Sequence, residues 1–586
     1  MGNSNFDIYG NKVILTFSER ACFTTEDVVN SDLFKKILTR CLADLKRKNS
    51  ILLKIFDDSF DADEKNIDLL IKIIKFLTRN SADLLPVAVP ESSSFLKDKH
   101  LFNDFIEYLY NYWRSFERFI VCDSAGREFD QRPYRAFNDM VEPLSHLIRS
   151  TYRDVAENIT NLHPRIYRQV IAGGEVGVIA TPRRLNLPPG PYEKLQNISV
   201  IRQVLLYPPL ILNPPMNKRT GMYERIPKNP LDLFDLKKEE WLCYPARVGH
   251  LVVLVYFHKK LTELGLSLCN LFEMADDEDL ERRPDAVFVF GVEGNALDGL
   301  AKMPTVFYDD EANDILAGAV PGRDEFGYFG YVKKMILTLH NIRMMKKGRM
   351  PFHGAMFRIL LKGNKDLTLL FIGDTGAGKS ETIEAFRALG DEYIQDIIVI
   401  ADDMGSLEVL PDGRVVGYGT EIGAFLRLDD LQPGYALGQI DRAIIMNATQ
   451  VNARIILPVT TLNTLVFGHK VDYILYANNY EDIDEDHPVI ERFTNPELAF
   501  KVFKEGAVMS KGTTTTTGIV HSYFANIFGP PQYKNLHDGL AEKYFQAFFK
   551  AGVFVGQVRT RLGVSGWERN GPTEAAKELL RVIEKQ

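Results

Sequence analysis

Eight consecutive residues in the C-terminal half of the chain have the types and spacing of a phosphate-binding loop. They read Gly-Asp-Thr-Gly-Ala-Gly-Lys-Ser and fit the pattern G-x-x-x-x-G-K-[ST]. Glycines in such a loop let backbone N–H groups turn toward phosphate oxygens, the lysine reaches the outer phosphates, and the hydroxyl binds Mg²⁺. Together with the residue that follows, the predicted nucleotide-binding set is Gly373, Asp374, Thr375, Gly376, Ala377, Gly378, Lys379, Ser380 and Glu381.

The segments on either side of this loop predict the elements that a nucleotide site needs. Leu367–Ile372 is apolar and predicts a strand, and Ser380–Leu389 predicts a helix that Gly390 ends. The positive N-terminal end of such a helix points at the bound phosphate. The sequence therefore predicts a strand, a phosphate loop and a helix in that order.

Two adjacent carboxylates follow the next predicted strand. Asp402 and Asp403 come directly after the apolar segment Ile397–Ala401. Carboxylates at the end of a strand beside a phosphate loop stand where a metal ion or a general base is needed. An isolated Asp-Asp pair is more often a turn or a helix cap, but its place after the loop favours a role in the site.

Short motifs before the loop stand in a recognisable order. Tyr-Phe-Gly-Tyr-Val-Lys-Lys ends at Lys334, Gly348–Pro351 and Phe352-His353-Gly354 follow, and the phosphate loop comes next. This order resembles the phosphoenolpyruvate carboxykinase family, which carries Y-x-G-E-M-K-K, L-P-M-H-C and G-x-S-G-x-G-K-T. The same block resembles HPr kinase/phosphorylase, with which that family shares a kinase core.

The resemblance continues toward the C-terminus. Glu421–Arg427 is similar to the family's E-G-G-C-Y-A-K, and Asn452–Pro458 is similar to N-T-R-V-S-Y-P. The segment from Gly512 to Gly529 resembles G-T-E-R-G followed by A-C-F-G. Several motifs in the same order imply a carboxykinase-like fold for this half of the chain.

By this resemblance, a catalytic Mn²⁺ would be held by Lys334, His353 and Asp403. Imidazole nitrogen, carboxylate oxygen and a neutral lysine amine are all possible ligands, and the amine needs a depressed pKa to be neutral. The local sequence also allows a plainer interpretation. Lys334 lies on a predicted amphipathic helix, Tyr331–Lys346, where lysines are usually solvated, and a histidine in an apolar strand is often a core residue.

The resemblance also assigns the residues around the phosphates. Lys379 and Ser380 would hold the nucleotide phosphates and Mg²⁺, with ATP as the donor. Arg454 and Arg427 would neutralise the transferring phosphoryl group, because guanidinium groups bind phosphate oxygens in pairs. Tyr328 would lie near the organic acid.

The acceptor side departs from the family. Its T-G-R-S-P-K-D signature is absent, and the nearest string is Thr220–Asn229. Arg219, Arg225 and Arg247 are candidates to bind a substrate carboxylate, and for each the alternative is an arginine solvated on a loop.

The donor side departs as well. Thr514 and Thr515 stand where the family carries the glutamate and arginine of its lid and adenine side. GTP or pyrophosphate therefore stays open as the phosphoryl donor. A glycine-rich lid over 506–518 is expected to exclude water from the site.

Three functions follow from these observations. The first is a carboxykinase that interconverts oxaloacetate with phosphoenolpyruvate and CO₂. The second is a kinase of the same superfamily that acts on another small metabolite or on a protein serine, with Asp402 or Asp403 as the base. The third is a nucleotide-sensing protein with little catalysis.

Composition narrows the class of protein. The 586 residues are 45% hydrophobic and 25% charged and carry a net charge of −8, which is typical of a globular protein and argues against a nucleic-acid partner. The sequence shows no apolar run of the roughly 18 residues that a membrane span needs. Five scattered cysteines, and no signal peptide at the first residues, predict a cytoplasmic protein. The oligomeric state is not predicted.

The predicted fold class is α/β in two lobes, with an enlarged N-terminal region. Residues 1–165 form an α/β region of unknown role, 166–345 a substrate-side domain, and 346–586 the catalytic domain with the phosphate loop. Within the first region, Leu52–Phe56 and Leu84–Val89 predict short buried strands.

Overall fold

The structure is a computed structural model that describes residues 5–17, 22, 24–56, 64–123, 132–163, 165–167, 169–362, 365–389, 393–430, 437–511, 517–568 and 570–585. Its class is mixed α/β, as predicted. The chain forms two compact units, the first made of Met1–Pro182 and Ser199–Tyr207 and the second of Arg183–Ile198 and Pro208–Gln586. The division into three regions at 165 and 345 stays a prediction. The described residues do not include Gly390 or residues 512–516 of the predicted lid, which contain Thr514 and Thr515.

The strands of the first unit are β1 (Asn5–Tyr9), β2 (Lys12–Phe17), β3 (Glu117–Asp123), β4 (Val176–Pro182) and β5 (Ser199–Leu206). They lie side by side in sequence order. The β2, β3 and β4 strands are parallel, whereas β1 and β5 are antiparallel to their neighbours. Parallel strands are covered on both faces, which explains the continuous apolar runs of β2 and β3.

The helices of the first unit are α1 (Thr25–Val29), α2 (Asp32–Arg47), α3 (Glu64–Leu77), α4 (Leu85–Ala88), α5 (Lys99–Arg114) and α6 (Pro133–Thr160). Ser31 caps α2 by accepting a hydrogen bond from the N–H of Phe34, and Asp98 caps α5 in the same way. The apolar faces of these helices pack together around Leu42, Ile73 and Phe105.

Two predicted strands of this unit are wrong. Ile51–Ile55 is a 3₁₀-helix, and Ala82–Leu84 is another that leads directly into α4. Short apolar runs cannot be assigned to a strand or a buried helical turn by periodicity alone. The serine before each turn accepts a backbone N–H two residues later, which favours the helical start.

The strands of the second unit number twenty-two among the described residues. They are β6 (Leu210–Leu212), β7 (Glu224–Arg225), β8 (Trp241–Val248), β9 (Leu251–His258), β10 (Glu273–Met274), β11 (Ala286–Val292), β12 (Val306–Asp310), β13 (Ile315–Pro321), β14 (Met350–Leu361), β15 (Lys365–Ile372), β16 (Ile394–Ala401), β17 (Met404–Val409), β18 (Val415–Gly419), β19 (Gly423–Arg427), β20 (Ile444–Met446), β21 (Arg454–Pro458), β22 (His469–Lys470), β23 (Tyr473–Asn478), β24 (Ile490–Arg492), β25 (Ala507–Lys511), β26 (Thr517–His521) and β27 (Phe554–Arg559).

These strands form several sheets. One follows the order β8-β9-β11-β13-β12-β7, with β10 beside β8. A second follows β22-β18-β17-β14-β15-β23-β27-β24, with β16 beside β14. The β19, β21, β20 and β6 strands form a third, and β25 and β26 form a hairpin. The second sheet contains β15 and β16, which include the predicted strands before the phosphate loop and before Asp402.

The helices of the second unit are α7 (Thr262–Leu266), α8 (Asp277–Glu281), α9 (Phe329–Lys346), α10 (Lys379–Ala388), α11 (Leu462–Val466), α12 (Pro496–Glu505), α13 (Lys534–Lys550) and α14 (Asn570–Glu584). Within the described ranges of both units, no helix combines the length and apolarity that crossing a bilayer requires. The core beneath the phosphate loop includes Phe371 and Phe386, packed against α14 through Leu579.

Helix α9 is not amphipathic, contrary to the sequence prediction. Nearly all of its side chains are buried, on every face. A helix buried all round shows no polar face in its periodicity, so its lysines cannot be assigned to solvent. Lys333 is 2% exposed, and Lys334 is half-buried.

Candidate active site

Strand β14 brings the candidate residues together through its pairing with three neighbours. His353 is paired with Met404 on β17, and Gly354 is paired with Ile372 at the end of β15. The N–H of Gly354 donates to the carbonyl of Asp403. Because of this register, the histidine, the start of the phosphate loop and the Asp402–Asp403 turn lie at one place in the sheet.

The carboxylate of Asp403 is the centre of the candidate site. The Nζ of Lys333 lies 2.8 Å and the Nζ of Lys334 lies 2.6 Å from its Oδ2 atom. Oδ1 lies 2.9 Å from Nε2 of His353. Lys333 reaches a second carboxylate as well, with its Nζ 2.9 Å from Oε1 of Glu421.

The two adjacent lysines have opposite shifts in pKa. Burial alone lowers the pKa of Lys333, but the carboxylates of Asp403 and Glu421 outweigh burial and hold it above its ordinary value. Burial lowers the pKa of Lys334, and the charge of Lys333 lowers it further against the opposing effect of Asp403. Burial alone raises the pKa of Asp403, yet the two lysines hold it well below its usual range.

The contacts of His353 test whether a cation fits here. Its Nδ1 atom lies 2.5 Å from the carbonyl oxygen of Ala525, which can only accept, so Nδ1 carries a proton. In a neutral ring Nε2 then directs its lone pair at the carboxylate of Asp403. That contact is favourable only with a positive charge between the two groups, either a second proton on the ring or a metal ion. Imidazole nitrogen, carboxylate and the Lys334 amine are a donor set that suits Mn²⁺, so the residues fit the metal that the resemblance implies.

The predicted phosphate loop, residues 373–380, contains two glycines with a left-handed backbone. Gly376 and Gly378 have φ values of 80° and 93°. The carbonyl of Ala377 accepts from the hydroxyl of Thr560, and the carbonyl of Gly376 accepts from the amide of Asn479. These two side chains hold the loop from outside it.

Lys379 folds back onto its own loop. Its Nζ donates to the carbonyls of Gly373 and Asp374. Burial lowers the pKa of this amine, against the carboxylate of Asp403 and other acidic neighbours. Ser380 follows in the first turn of α10, with its side chain exposed.

Asp402 differs from its neighbour Asp403. Burial raises the pKa of Asp402, and the negative charge of Asp403 adds to this against the lysines. Of the two carboxylates, Asp403 therefore stays ionised and Asp402 holds a proton more readily.

The two predicted phosphoryl-binding arginines lie directly opposite each other. Arg427 on β19 is paired with Arg454 on β21. Like charges at opposed positions of a sheet are destabilising, so this pair suits a bound anion. The guanidinium of Arg454 lies 5.4 Å from the centre of the Phe425 ring, and Nζ of Lys333 lies 5.7 Å from it. Phe425 therefore connects the arginine to the Asp403 cluster.

Tyr328 directly precedes α9, makes no side-chain capping hydrogen bond to it, and lies beside the same ring. Its ring centre is 6.0 Å from that of Phe425. Burial raises the pKa of Tyr328, although the neighbouring Arg454 opposes this. The structure thus places Tyr328 with the predicted site residues.

The candidate acceptor arginines are placed differently from one another. Arg225 lies over the Tyr533 ring and within 3.7 Å of Asp309, and Arg247 pairs with Asp279. No contact among the described residues joins either of them to the Asp403 cluster, and their substrate role stays a prediction. Arg219 is joined to it, because Phe528 lies 5.2 Å from its guanidinium and 4.5 Å from Nζ of Lys334.

A second group of possible metal ligands lies elsewhere in this unit. Ligand atoms of Glu240, His258 and Glu293 lie within 4.8 Å of one another. Nδ1 of His258 accepts a hydrogen bond from the N–H of Lys260, so its Nε2 carries the proton in a neutral ring. With a proton on it, Nε2 has no lone pair to offer a metal ion, and it faces carboxylate oxygens of Glu240 and Glu293 at 3.6 Å. His258 itself is buried.

The chain was compared with protein-family models and with curated proteins. Neither comparison finds a match.

Several residues of the site were not predicted from the sequence. Lys333, Glu421 and Phe528 lie inside motifs that the resemblance marked, yet no role was assigned to them. Asn479 and Thr560 lie at strand ends and hold the predicted phosphate loop by hydrogen bonds. Their loop partners, Gly376 and Ala377, lie 103 and 183 residues earlier in the sequence. The adjacency of Lys333 to Lys334 was the one local signal that both lysines belong to the site.

Proposed function

We propose that this protein is a phosphoenolpyruvate carboxykinase-like phosphotransferase, which interconverts oxaloacetate with phosphoenolpyruvate and CO₂ at the expense of a nucleoside triphosphate. The observation that carries the proposal is the convergence of Lys334, His353 and Asp403 beside the phosphate loop. These three side chains come from a helix, a strand and a turn, and they meet at one carboxylate. Such a donor set next to a phosphate loop supports metal-assisted phosphoryl transfer.

The metal ion would be held by Lys334, His353 and Asp403. When bound there, a divalent ion such as Mn²⁺ supplies positive charge that polarises an oxygen of the substrate. Lys333 holds the Asp403 carboxylate in position and neutralises Glu421. The carbonyl of Ala525 keeps the proton of His353 on Nδ1, which leaves Nε2 for the ion.

The phosphate side is served by the loop and the arginine pair. Lys379 would exchange its contacts with loop carbonyls for the outer phosphates of ATP, with Mg²⁺ at Ser380. Arg427 and Arg454 would face the transferring phosphoryl group, where two guanidinium groups offset its charge. Arg219, held over the Phe528 ring, is the acceptor arginine that contacts favour for the substrate carboxylate.

The test is ³¹P NMR of the purified protein with oxaloacetate, Mn²⁺ and Mg²⁺. Separate samples contain ATP, GTP or pyrophosphate, with Lys379→Ala as the matched variant. We expect a phosphoenolpyruvate signal with one donor that is absent in the variant. No such signal with any donor, from protein that still binds nucleotide, contradicts the proposal.

A kinase acting on a hydroxyl group is the second candidate, and Asp402 favours it. A carboxylate whose pKa is raised by burial is a stronger base than an exposed one, which suits a role in accepting a hydroxyl proton. Incubation with [γ-³²P]ATP and a panel of hydroxy metabolites or serine peptides separates the two functions. Label on a hydroxyl acceptor that Asp402→Asn removes would support the kinase.

A further inference from the structure

Three consecutive residues near the candidate site adopt a left-handed backbone without any glycine. Phe524, Ala525 and Asn526 have φ values of 44°, 57° and 60°. The left-handed region costs an L-residue roughly 1–2 kcal/mol, and such strain persists only where the surrounding structure holds it. Strain of this kind is concentrated at functional sites, which points to a functional role for this turn.

The end of helix α12 holds the turn. The N–H of Phe524 donates to the carbonyl of Lys504, and the N–H of Ser522 donates to the carbonyl of Gly506. The ring of Phe524 packs 4.7 Å from that of His537 and is buried. Backbone and ring together oppose relaxation of the turn.

Gly506 lets the helix end and the turn approach closely. It has a φ of 59°, and a Cβ atom there would overlap the carbonyl oxygen of Ser522 and lie 2.7 Å from the nitrogen of Ala525. Only glycine therefore fits between the helix and the turn. The position of Ala525 depends directly on this contact.

The turn contacts the site through one group, the backbone carbonyl of Ala525. This residue is fully buried, and its oxygen lies 2.5 Å from Nδ1 of His353. A few residues later, the carbonyl of Phe528 accepts from the amide of Asn341, which fixes the other end of the segment. The strained residues thus set the orientation of the histidine from the side away from Asp403.

We propose that the left-handed turn 524–526 is a positioning device that holds His353 as the Nδ1–H tautomer and directs Nε2 toward Asp403 as a metal ligand. The inference rests on the proposed function, because it requires a metal ion at that position. A partner that fixes the tautomer of a ligating histidine typically contributes 10- to 100-fold to metal affinity. Gly506 and Ala525 are positioning residues in this scheme, and neither touches the metal or the substrate.

The test compares two glycine variants by Mn²⁺ titration, followed by electron paramagnetic resonance, without nucleotide. Gly506→Ala displaces the turn. Gly552→Ala is the matched control, since Gly552 follows α13 with a φ of 74° and has open space where a Cβ would lie. We expect Mn²⁺ affinity to fall about 10-fold or more in Gly506→Ala and to stay within about 2-fold of the original in the control. Equal affinity in the two folded variants would overturn the inference.

A second measurement on the unaltered chain keeps the inference testable if Gly506→Ala does not fold. ¹⁵N NMR of histidine-labelled protein, with His353→Gln to assign the signal, reports the proton on each ring nitrogen. We expect Nδ1 of His353 to be protonated; an unprotonated Nδ1 would overturn the inference. Failure of the proposed metal site itself is seen separately, as Mn²⁺ binding that Asp403→Asn leaves unchanged.

Discussion

At the scale of residues, the site is an arrangement of charges around the Asp403 carboxylate. The adjacent residues Lys333 and Lys334 differ in their contacts and in the direction of their pKa shifts. Lys333 lies between Asp403 and Glu421, and these carboxylates keep it charged. Lys334 is the lysine whose pKa is lowered, so it is the amine suited to bind a metal ion. Lys333 fixes the carboxylate, and Lys334 is the amine of the proposed metal site.

Removal of the charge on Lys333 tests this division. Lys333→Met leaves two buried carboxylates without their shared cation, and we expect the free energy of unfolding to fall by about 3–5 kcal/mol. Lys347→Met is the control, because Lys347 is 47% exposed and its ion pair with Asp285 is worth about 0–1 kcal/mol. Urea unfolding measures both. Equal losses in the two variants would mean that the buried pair has no special role.

Single candidate residues can be picked out from the sequence where their signal is local. The spacing of the phosphate loop and the position of Asp403 after an apolar strand are local signals, and the structure brings both to one place. Lys333 was missed because its importance depends on its contact with Glu421, which is distant in the sequence. A lysine on a helix buried on every face has no periodicity that reveals its partner.

At the scale of elements, β14 organises the site and the ends of β23 and β27 secure the loop. Asn479 directly follows β23, and Thr560 directly follows β27. These strands are parallel to β15 or to each other, so their carboxyl ends meet where β15 enters the loop. Neither β23 nor β27 was predicted as a strand from the sequence, and neither was the pairing that places these two side chains. It depends on contacts between segments distant in sequence.

A substitution at Gly378 tests how closely the predicted phosphate loop must pack against Thr560. Gly378→Ala places a Cβ atom 2.6 Å from Oγ1 of Thr560, so the loop or the threonine must move. We expect nucleotide affinity to fall about 10-fold and stability to fall by roughly 1–3 kcal/mol from overpacking. Calorimetric titration with ATP measures the affinity.

The control for this prediction is Gly413→Ala. Gly413 has a φ of 84° in the turn between β17 and β18, and no atom of the described residues lies within 4 Å of a Cβ there. Gly413→Ala carries the backbone strain alone, which costs roughly 1–2 kcal/mol. If both variants bind ATP equally, close packing against Thr560 is unimportant for the loop.

At the scale of the whole molecule, the second unit contains every residue proposed for the site. The first unit is an α/β structure with its own core, and the resemblance does not extend to it. The mixed α/β class was predictable from the alternation of apolar runs. The boundaries of the two units were not predictable, because the chain leaves the first unit and returns to it. Residues 183–198 belong to the second unit, and the β5 strand that follows belongs to the first.

The stability of the molecule should depend on pH through buried histidines. Burial lowers the pKa of His340 and of His537 from 6.5 to about 4. Between these values the unfolded chain binds protons that the folded chain does not, so stability falls as pH decreases from about 7 toward 4. Each histidine contributes roughly 1 kcal/mol of loss per pH unit in that range. Urea unfolding at neutral and mildly acidic pH measures this slope.

His340→Gln isolates one contribution, because glutamine does not titrate. We expect the variant to lose less stability than the original chain when the pH is lowered through this range. An unchanged slope would show that His340 takes up its proton equally in the folded and unfolded states.

The central claim is that this site joins a nucleotide, a metal ion and a carboxylate substrate in one reaction. The reverse reaction tests it most directly. Phosphoenolpyruvate, ADP, Mn²⁺ and ¹⁴C-bicarbonate are incubated with the protein, and the oxaloacetate formed is reduced to a stable acid for counting. We expect acid-stable label together with an equal amount of ATP, and both should be lost in Lys379→Ala and Asp403→Asn. Absence of label with ADP, GDP or phosphate, from folded protein that binds Mn²⁺ and nucleotide, would contradict it.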